Sequence, residues 1–219
     1  MTVSTAGDES EEWANALTHA IGFIGAMAGA AMVIDAAAQH GGPWQIRGCA
    51  IYGATLIAVY AFSTLSHIVT GAKARYTLRM LDQAMIFLFI AGSYTPIALA
   101  WLRTPDWWIF HSVLWATAVL GFLSKIGFGH RVEMGSVSTT LYISVGWMPM
   151  LAFWPMLNAI PGALMFWIVM GGVCYSIGLI FFCYDCRIRY FHAAWHTLVM
   201  AGTLCHFIGI FHYCTAAHA

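Results

Sequence analysis

Charged residues are scarce in this sequence. Only 8% of its 219 residues are Asp, Glu, Lys or Arg, whereas a soluble domain carries about 25%. Hydrophobic residues make up 61% of the chain, and the formal net charge is zero. The composition excludes an ordinary soluble domain and predicts a polytopic membrane protein. The absence of net positive charge gives no reason to expect nucleic acid as a partner.

Basic residues are absent from the N-terminus as well. "MTVSTAGDESEEWANALTHA" contains no Lys or Arg, so we expect no cleaved signal peptide. Its acidic cluster is interpreted as a solvated lead-in to the first helix and consists of Asp8, Glu9, Glu11 and Glu12. Cysteine pairs are scarce too. Of six cysteines only Cys183 and Cys186 form a CxxC, so we interpret all six as small buried apolar residues.

Long hydrophobic runs predict seven transmembrane helices. The runs fall at 14–36, 46–68, 81–101, 107–127, 136–156, 162–183 and 192–214, each near the ~20 residues that cross a bilayer. They do not alternate as barrel strands do, so the predicted fold is all-α. Short loops predict a single domain over 14–214, with a lead-in at 1–13 and a tail at 215–219. Pro96 and Pro149 are expected to kink the third and fifth spans.

The distribution of basic residues predicts the orientation of the bundle. The loops after the second, fourth and sixth spans contain Lys73, Arg75, Arg79, Lys125, Arg131, Arg187 and Arg189. The loops after the first, third and fifth spans contain only Arg47 and Arg103. Because basic loops stay in the cytoplasm, the N-terminus is predicted to be cytoplasmic and the C-terminus to be outside.

Several ionisable residues lie inside or at the ends of these spans. His67 ends the second span, Asp82 opens the third, and His192 and His196 open the seventh. The predicted orientation puts all of these ends at the cytoplasmic face. An ionisable residue in a membrane span indicates a functional site. Ser63 precedes His67 by one helical turn, as His192 precedes His196, so each pair shares a helix face.

Three imidazoles at one depth predict a metal site. Three histidines can bind Zn²⁺ and leave a fourth position for water, as in catalytic zinc sites. His67, His192 and His196 are the candidate ligands, and Asp82 can hydrogen-bond the water or orient a ligand. An isolated HxxxH is also compatible with helix packing, so the histidine pair alone does not decide between the two interpretations.

The remaining histidines are interpreted as structural. His19, with Asn15 one turn earlier, is expected to form an interhelical hydrogen bond. His206 is either a further ligand or a donor to a backbone carbonyl. No special role is expected for the histidines near helix ends and loops, which are His40, His111, His130, His212 and His218.

The combined motifs resemble the hemolysin III family, the bacterial branch of the progestin and adipoQ receptor proteins. The resemblance rests on "EEWANALTHAIG", "STLSH", an Asp followed by "IAGSYTP", and "HAAWHTLVMAGTLCHF", and it runs from about Glu11 to the C-terminus. It implies seven helices and a zinc site near the cytoplasmic side. The implied ligands are His67, His192 and His196, with Asp82 at the zinc-bound water and Ser63 close by.

Two functions remain open at this stage. A zinc-dependent hydrolase of a lipid amide or ester would use Asp82 as general base and Ser63 as a hydrogen-bond donor. A receptor or sensor would instead use zinc to clamp the helices without turnover. A secreted pore former needs a soluble state that seven apolar spans do not allow, and no inverted repeat indicates a transporter. We expect a membrane lipid as substrate or ligand, location in the bacterial inner membrane, and no particular protein partner.

Overall fold

The computed structural model describes residues 6–128 and 135–217. Its elements are the helices α1 (Ala6–His40), α2 (Pro43–Ile68), α3 (Ala72–Trp101), α4 (Pro105–Phe128) and α5 (Gly135–Trp147), a 3-10 helix (Met148–Ala152), and the helices α6 (Phe153–Ala159), α7 (Gly162–Tyr184) and α8 (Phe191–Tyr213). The described residues contain no strand, which confirms the predicted all-α fold.

Within the described residues, seven stretches are long and apolar enough to cross a bilayer. Six are the long helices, and the fifth in chain order runs over Thr140–Ala159 through α5, the 3-10 helix and α6. Large apolar side chains face outwards along them, with Leu151 85% and Trp154 75% exposed. Exposure of so much apolar surface to water would cost free energy, whereas contact with lipid chains carries no such cost. The chain is therefore an integral membrane protein, as predicted.

Two helices begin earlier than the hydrophobic runs suggested. α1 starts at Ala6 rather than near residue 14, and α3 starts at Ala72 rather than near residue 81. The added segment before Asp82 is "AKARYTLRML", which is rich in strong helix formers. Hydropathy marks where a helix enters lipid, while backbone hydrogen bonding continues past that boundary. Asp82 consequently lies well inside α3 instead of at its first turn.

The two prolines in the spans behave differently. Pro149 ends the α-helical geometry of the fifth span, because residues Met148–Ala152 adopt a 3-10 helix between α5 and α6. A proline has no N–H for the helical ladder, so this interruption is its expected effect. α3 continues through Pro96 without a break in its helical assignment. Pro96 instead packs closely against α2 at Gly48.

The helices form a closed arrangement in which the first and last elements meet. α1 packs against both α2 and α8, α2 packs against α3, α3 against α4, and α7 against α8. α3 is the most enclosed span: 78% of its most apolar stretch is buried, against at most 44% for the others. At the end of the bundle opposite the histidines, the Trp101 indole donates to the Tyr213 carbonyl oxygen at 2.8 Å.

The first turns of α1 contact the connection between α7 and α8. The Glu11 carboxylate accepts a hydrogen bond from the Tyr190 N–H at 3.0 Å, and the Arg189 guanidinium donates to the Ser10 hydroxyl at 2.6 Å. Tyr190 has a φ of 63°, a left-handed conformation that is uncommon for a residue with a side chain. Glu11 thus has a partner in the connection between α7 and α8, at an exposed position. The side chains of Asp8, Glu9 and Glu12 lie outside the described residues.

The cysteines are only partly as predicted. Cys49 and Cys214 are buried, but Cys183 and Cys186 are exposed at the end of α7. The hydrogen bond that the Cys186 thiol donates to the Asp185 carboxylate, together with the negative charge of that carboxylate, raises the pKa of the thiol. A raised pKa keeps the thiol protonated and less reactive. His130, Arg131 and His218, which were considered above, lie outside the described residues.

The close approach of α2 and α3 at Gly48 gives a test of this packing. A Cβ atom added to Gly48 would lie 2.9 Å from the Pro96 Cα, whereas one added to Gly25 in α1 would meet nothing within 4 Å. We expect Gly48→Ala to lower the free energy of unfolding by about 1–3 kcal/mol. Thermal unfolding in detergent measures this, and Gly25→Ala is the matched control. Equal melting temperatures for the two variants would contradict the helix contact.

Candidate metal centre

Four histidines from three helices meet at one end of the bundle. His67 lies in the last turn of α2, and His192 and His196 lie in the first two turns of α8. His19 reaches the same place from α1. Its ring centroid is 3.6 Å from that of His196 and 5.7 Å from that of His67. The His192 centroid lies 4.3 Å from that of His196 and 5.7 Å from that of His67.

The tightest group among these residues is His19, His67 and His196. Each offers a ring nitrogen, and the three nitrogens lie within 4.8 Å of one another. Zinc–nitrogen bonds of about 2.1 Å hold tetrahedral ligand atoms roughly 3.4 Å apart, so small side-chain movements would bring the three nitrogens onto one ion. This group could hold a metal ion. It shares two members with the ligand set predicted from the sequence.

Two nitrogen atoms in the cluster are buried without a hydrogen bond. Nε2 of His196 and Nδ1 of His19 have no partner among the residues that the structure describes. A buried polar atom without a partner costs about 1–3 kcal/mol, so such atoms call for an explanation. A metal ion accepts a nitrogen lone pair in place of a hydrogen bond. The orphaned nitrogens therefore fit a metal site.

The contacts of Ser63 define which nitrogen of His19 is free. Ser63 Oγ lies 3.1 Å from His19 Nε2, which confirms the predicted interhelical hydrogen bond of His19. The Ser63 side chain also interacts with the Asp82 carboxylate. When the Ser63 O–H is directed at this carboxylate, which only accepts, the Ser63 oxygen accepts from His19 Nε2–H. In that tautomer Nδ1 of His19 carries a lone pair that can bind a metal.

His192 is held from outside the cluster. Its Nδ1 lies 2.7 Å from an oxygen of Asp185, in the connection between α7 and α8. A carboxylate that accepts one ring N–H of a histidine orients the other nitrogen towards a metal, which is a common arrangement around metal ligands. The geometry keeps Nε2 of His192 available beside His67 and His196. The role of His192 as a ligand stays a prediction.

Sequence reasoning did not include His19 in the metal group. A usable signal was present in the turn "HGGP" between α1 and α2. Antiparallel helices joined by a short loop bring residues at similar distances from that loop to the same level. His19 lies about as far before this turn as His67 lies after it. The proximity of His19 and His67 is therefore indicated by their similar distances from the turn, and not by a spacing within one helix.

A cavity of about 310 Å³ extends from the cluster into the bundle. His19, Ser63, Asp82, His192 and His196 line one end of it. The rest of the wall is mainly apolar and comes from α2, α3, α5, α7 and α8. His206 also lines the cavity, and its Nε2 donates to the Ile168 carbonyl oxygen at 3.2 Å, as one of the two predicted roles required. The histidines that could bind a metal and the Asp82 carboxylate thus line the same cavity as the apolar side chains.

Comparisons with known proteins agree with the motifs. A family model described as "Haemolysin-III related" matches residues 8–207. The chain is 33% identical to the hemolysin-3 homolog of Bacillus subtilis over 93% of this chain and 94% of that protein. It is 34% identical to hemolysin-3 of Bacillus cereus over 93% and 91% of the two chains. It is 28% identical to the human monocyte to macrophage differentiation factor over 93% and 84%. The chain belongs to the hemolysin III family.

Proposed function

We propose that this protein is a zinc-dependent hydrolase that cleaves an amide or ester bond of a membrane lipid. The observation that carries the proposal is the position of Asp82. Its carboxylate lies beside the histidine cluster, is connected to it through Ser63 and His19, and lines the same cavity. A purely structural metal site has no need of a carboxylate facing an apolar space. The basic loops favour a site at the cytoplasmic face of the inner membrane.

The residues present are suited to zinc. His19, His67 and His196 supply three imidazoles, and His192 is available as the predicted alternative to His19. Imidazole also suits copper, nickel and iron, so zinc is preferred on ligand number and the absence of redox chemistry in the proposed reaction. When bound, zinc would acidify water and polarise a carbonyl group.

Asp82 and Ser63 have distinct proposed roles. Asp82 accepts the proton of the attacking water and returns it to the leaving group as the amide or ester bond breaks. Its position suits this role, because Asp82 lines the cavity together with His19, His192 and His196. Ser63 positions the Asp82 and His19 side chains relative to each other. Its hydroxyl can also donate a hydrogen bond to water or to the developing oxyanion. The proton thus passes from the attacking water to the leaving group by way of Asp82, beside the cluster.

The cavity defines the kind of substrate. Apolar side chains such as Ile86, Ile90 and Leu179 line it beyond the histidines, so an acyl chain can lie there while the bond to be cleaved stays at the cluster. Cavities of this kind bind ligands mainly by burying apolar surface and use a few polar groups for orientation. A membrane lipid is therefore the proposed substrate.

A receptor without turnover is the second candidate. The observation in its favour is the number of histidines, because four imidazoles lie within reach of one another. Four protein ligands close a zinc site and are typical of structural zinc. A metal held in this way would clamp α1, α2 and α8 together. A lipid bound in the cavity would then shift the conformational equilibrium of the helix bundle.

Metal content tests the assignment of ligands. We expect His67→Ala and His196→Ala each to reduce bound zinc from about one ion per chain to near zero, since both histidines belong to every candidate set. Elemental analysis of purified protein measures it. His212→Ala, on the exposed side of α8, is the control that keeps the metal.

The third ligand follows from a pair of variants. The sequence prediction requires loss of zinc in His192→Ala, and the geometry requires loss in His19→Ala. Loss in both indicates four ligands and favours the receptor. Full zinc content in both His67→Ala and His196→Ala would remove the metal site from this end of the bundle.

Chelation tests whether the metal joins the helices. A metal that binds only the folded protein stabilises it by about 4 kcal/mol when its concentration is 1,000 times the dissociation constant. We expect a chelator to lower the melting temperature of the wild-type protein markedly and to have little effect on His67→Ala. The measurement is thermal unfolding with and without chelator. The same shift in both proteins would show that His67 does not take part in the clamp.

Asp82→Asn separates the enzyme from the receptor. Asn can still hydrogen-bond Ser63 but cannot accept a proton, so we expect zinc to remain and hydrolysis to fall by ~10²–10⁴-fold. Wild-type and variant protein are incubated with fluorescent ceramides, N-acyl amino acids and phospholipids, with zinc measured in both. Turnover that is undiminished in the zinc-loaded variant excludes Asp82 from the reaction. No turnover by the wild type on any of these lipids favours the receptor.

A further inference from the structure

A second polar cluster lies deeper along the same cavity. The Tyr60 hydroxyl of α2 donates to Thr203 Oγ1 at 3.2 Å, and the Tyr175 hydroxyl of α7 lies 3.0 Å from the same oxygen. Tyr60 and Tyr175 line the cavity, and Thr203 is buried behind them on α8. Nothing in the hydrolytic reaction uses these hydroxyls.

Thr203 differs from the other helical threonines in its hydrogen bonding. Most of them donate to the carbonyl oxygen four residues earlier, as do Thr18, Thr55, Thr64, Thr77, Thr95, Thr117 and Thr197. Within the described parts of the chain Thr203 shows no such bond. Its hydroxyl proton is therefore available to Tyr175.

The three hydroxyl groups of this cluster have one more proton than their mutual hydrogen bonds use. The three hydroxyls carry three protons, and their two contacts use two of them, one from Tyr60 and one shared between Tyr175 and Thr203. When Thr203 donates to Tyr175, the proton of Tyr175 has no acceptor among the described residues. A buried donor without an acceptor costs free energy, so an acceptor in the cavity would be bound preferentially.

His206 offers the complementary group. Its Nε2–H donates to the Ile168 carbonyl oxygen, so its Nδ1 is an acceptor in the neutral ring. The ring centroid lies 5.4 Å from that of Tyr175, and both residues line the cavity. Gly171 makes room for this ring, because a Cβ atom there would collide with Cδ2 and Nε2 of His206. The cluster thus presents one donor and one acceptor side by side.

A hydroxyl group matches this pair, since its oxygen accepts and its proton donates. Thr203 and His206 follow His196 by 7 and 10 residues on α8, which is about 10–15 Å along the axis. An extended hydrocarbon chain advances about 1.3 Å per bond. We propose that the cavity selects an acyl chain that carries a hydroxyl group near the middle, about 8–12 carbons from its carbonyl. The distance rests on the proposed function, which places the carbonyl at the histidines.

Binding of free fatty acids tests this selection without requiring catalysis. The protein in lipid nanodiscs, with empty nanodiscs subtracted, is titrated with octadecanoic, 10-hydroxyoctadecanoic and 2-hydroxyoctadecanoic acid in competition with a fluorescent C18 acid. The measured quantity is the ratio of affinities for the 10-hydroxy and unsubstituted acids. Dividing the wild-type ratio by that of a variant removes the difference in membrane partition between the acids.

We expect the ratio to fall by about tenfold in Tyr175→Phe and in Thr203→Val, the loss typical of one buried hydrogen bond pair. Tyr52→Phe is the matched control. Tyr52 lies on α2, is fully buried and does not line the cavity, so its variant keeps the wild-type ratio. The 2-hydroxy acid, whose hydroxyl lies near the histidines, is expected to show no dependence on Tyr175.

Three results would overturn the proposal. They are an equal ratio in the wild type and Tyr175→Phe, a dependence on Tyr175 shared by the 2-hydroxy acid, and failure of either C18 acid to displace the fluorescent one. Melting temperatures of all variants show whether they are folded. Selective binding without hydrolysis of any 10-hydroxyacyl lipid would reject the hydrolase and leave the hydroxyl site in place.

Discussion

The Ser63 hydroxyl and the His19 imidazole face each other across the interface of α1 and α2, 3.1 Å apart and buried. This contact does three things at once. It joins two helices, it engages Nε2 of His19, and it leaves the Ser63 proton available to Asp82 when His19 donates. Nδ1 of His19 is then the ring nitrogen without a hydrogen-bond partner among the described residues. Removal of the hydroxyl would therefore disturb the metal group and the carboxylate together.

The sequence carried enough information for the number of spans but not for their full lengths. Hydrophobic runs identified each membrane crossing, since the bilayer imposes a minimum apolar length on every helix. The start of α3 at Ala72 was missed because charged helix formers continue the helix into the headgroup region. The effect of Pro149 was predictable because the missing N–H is a local property. The packing of Pro96 against Gly48 could not be predicted in this way, because it depends on where α2 lies relative to α3.

The site shows the same division between local and tertiary information. His192 and His196 were identified from a spacing along one helix, and Asp82 from its unusual position near lipid. His19 joined the group only once α1 was packed between α2 and α8. The partners of His192 and Tyr190 in the connection between α7 and α8 likewise depend on packing. The spacing of a motif shows which residues share a face of one helix. A metal site formed by several helices also depends on how those helices pack.

The meeting of α1 with α8 has a consequence for the biogenesis of the protein. α8 is synthesised after α1 and α2, and the histidine group that could hold a metal takes its residues from all three helices. A nascent chain that has not yet reached Phe191 therefore lacks His196 and cannot contain the whole group. Any metal bound by these three histidines would be acquired only after α8 has been made and has packed against α1. The order of synthesis thus places metal binding late in the assembly of this bundle.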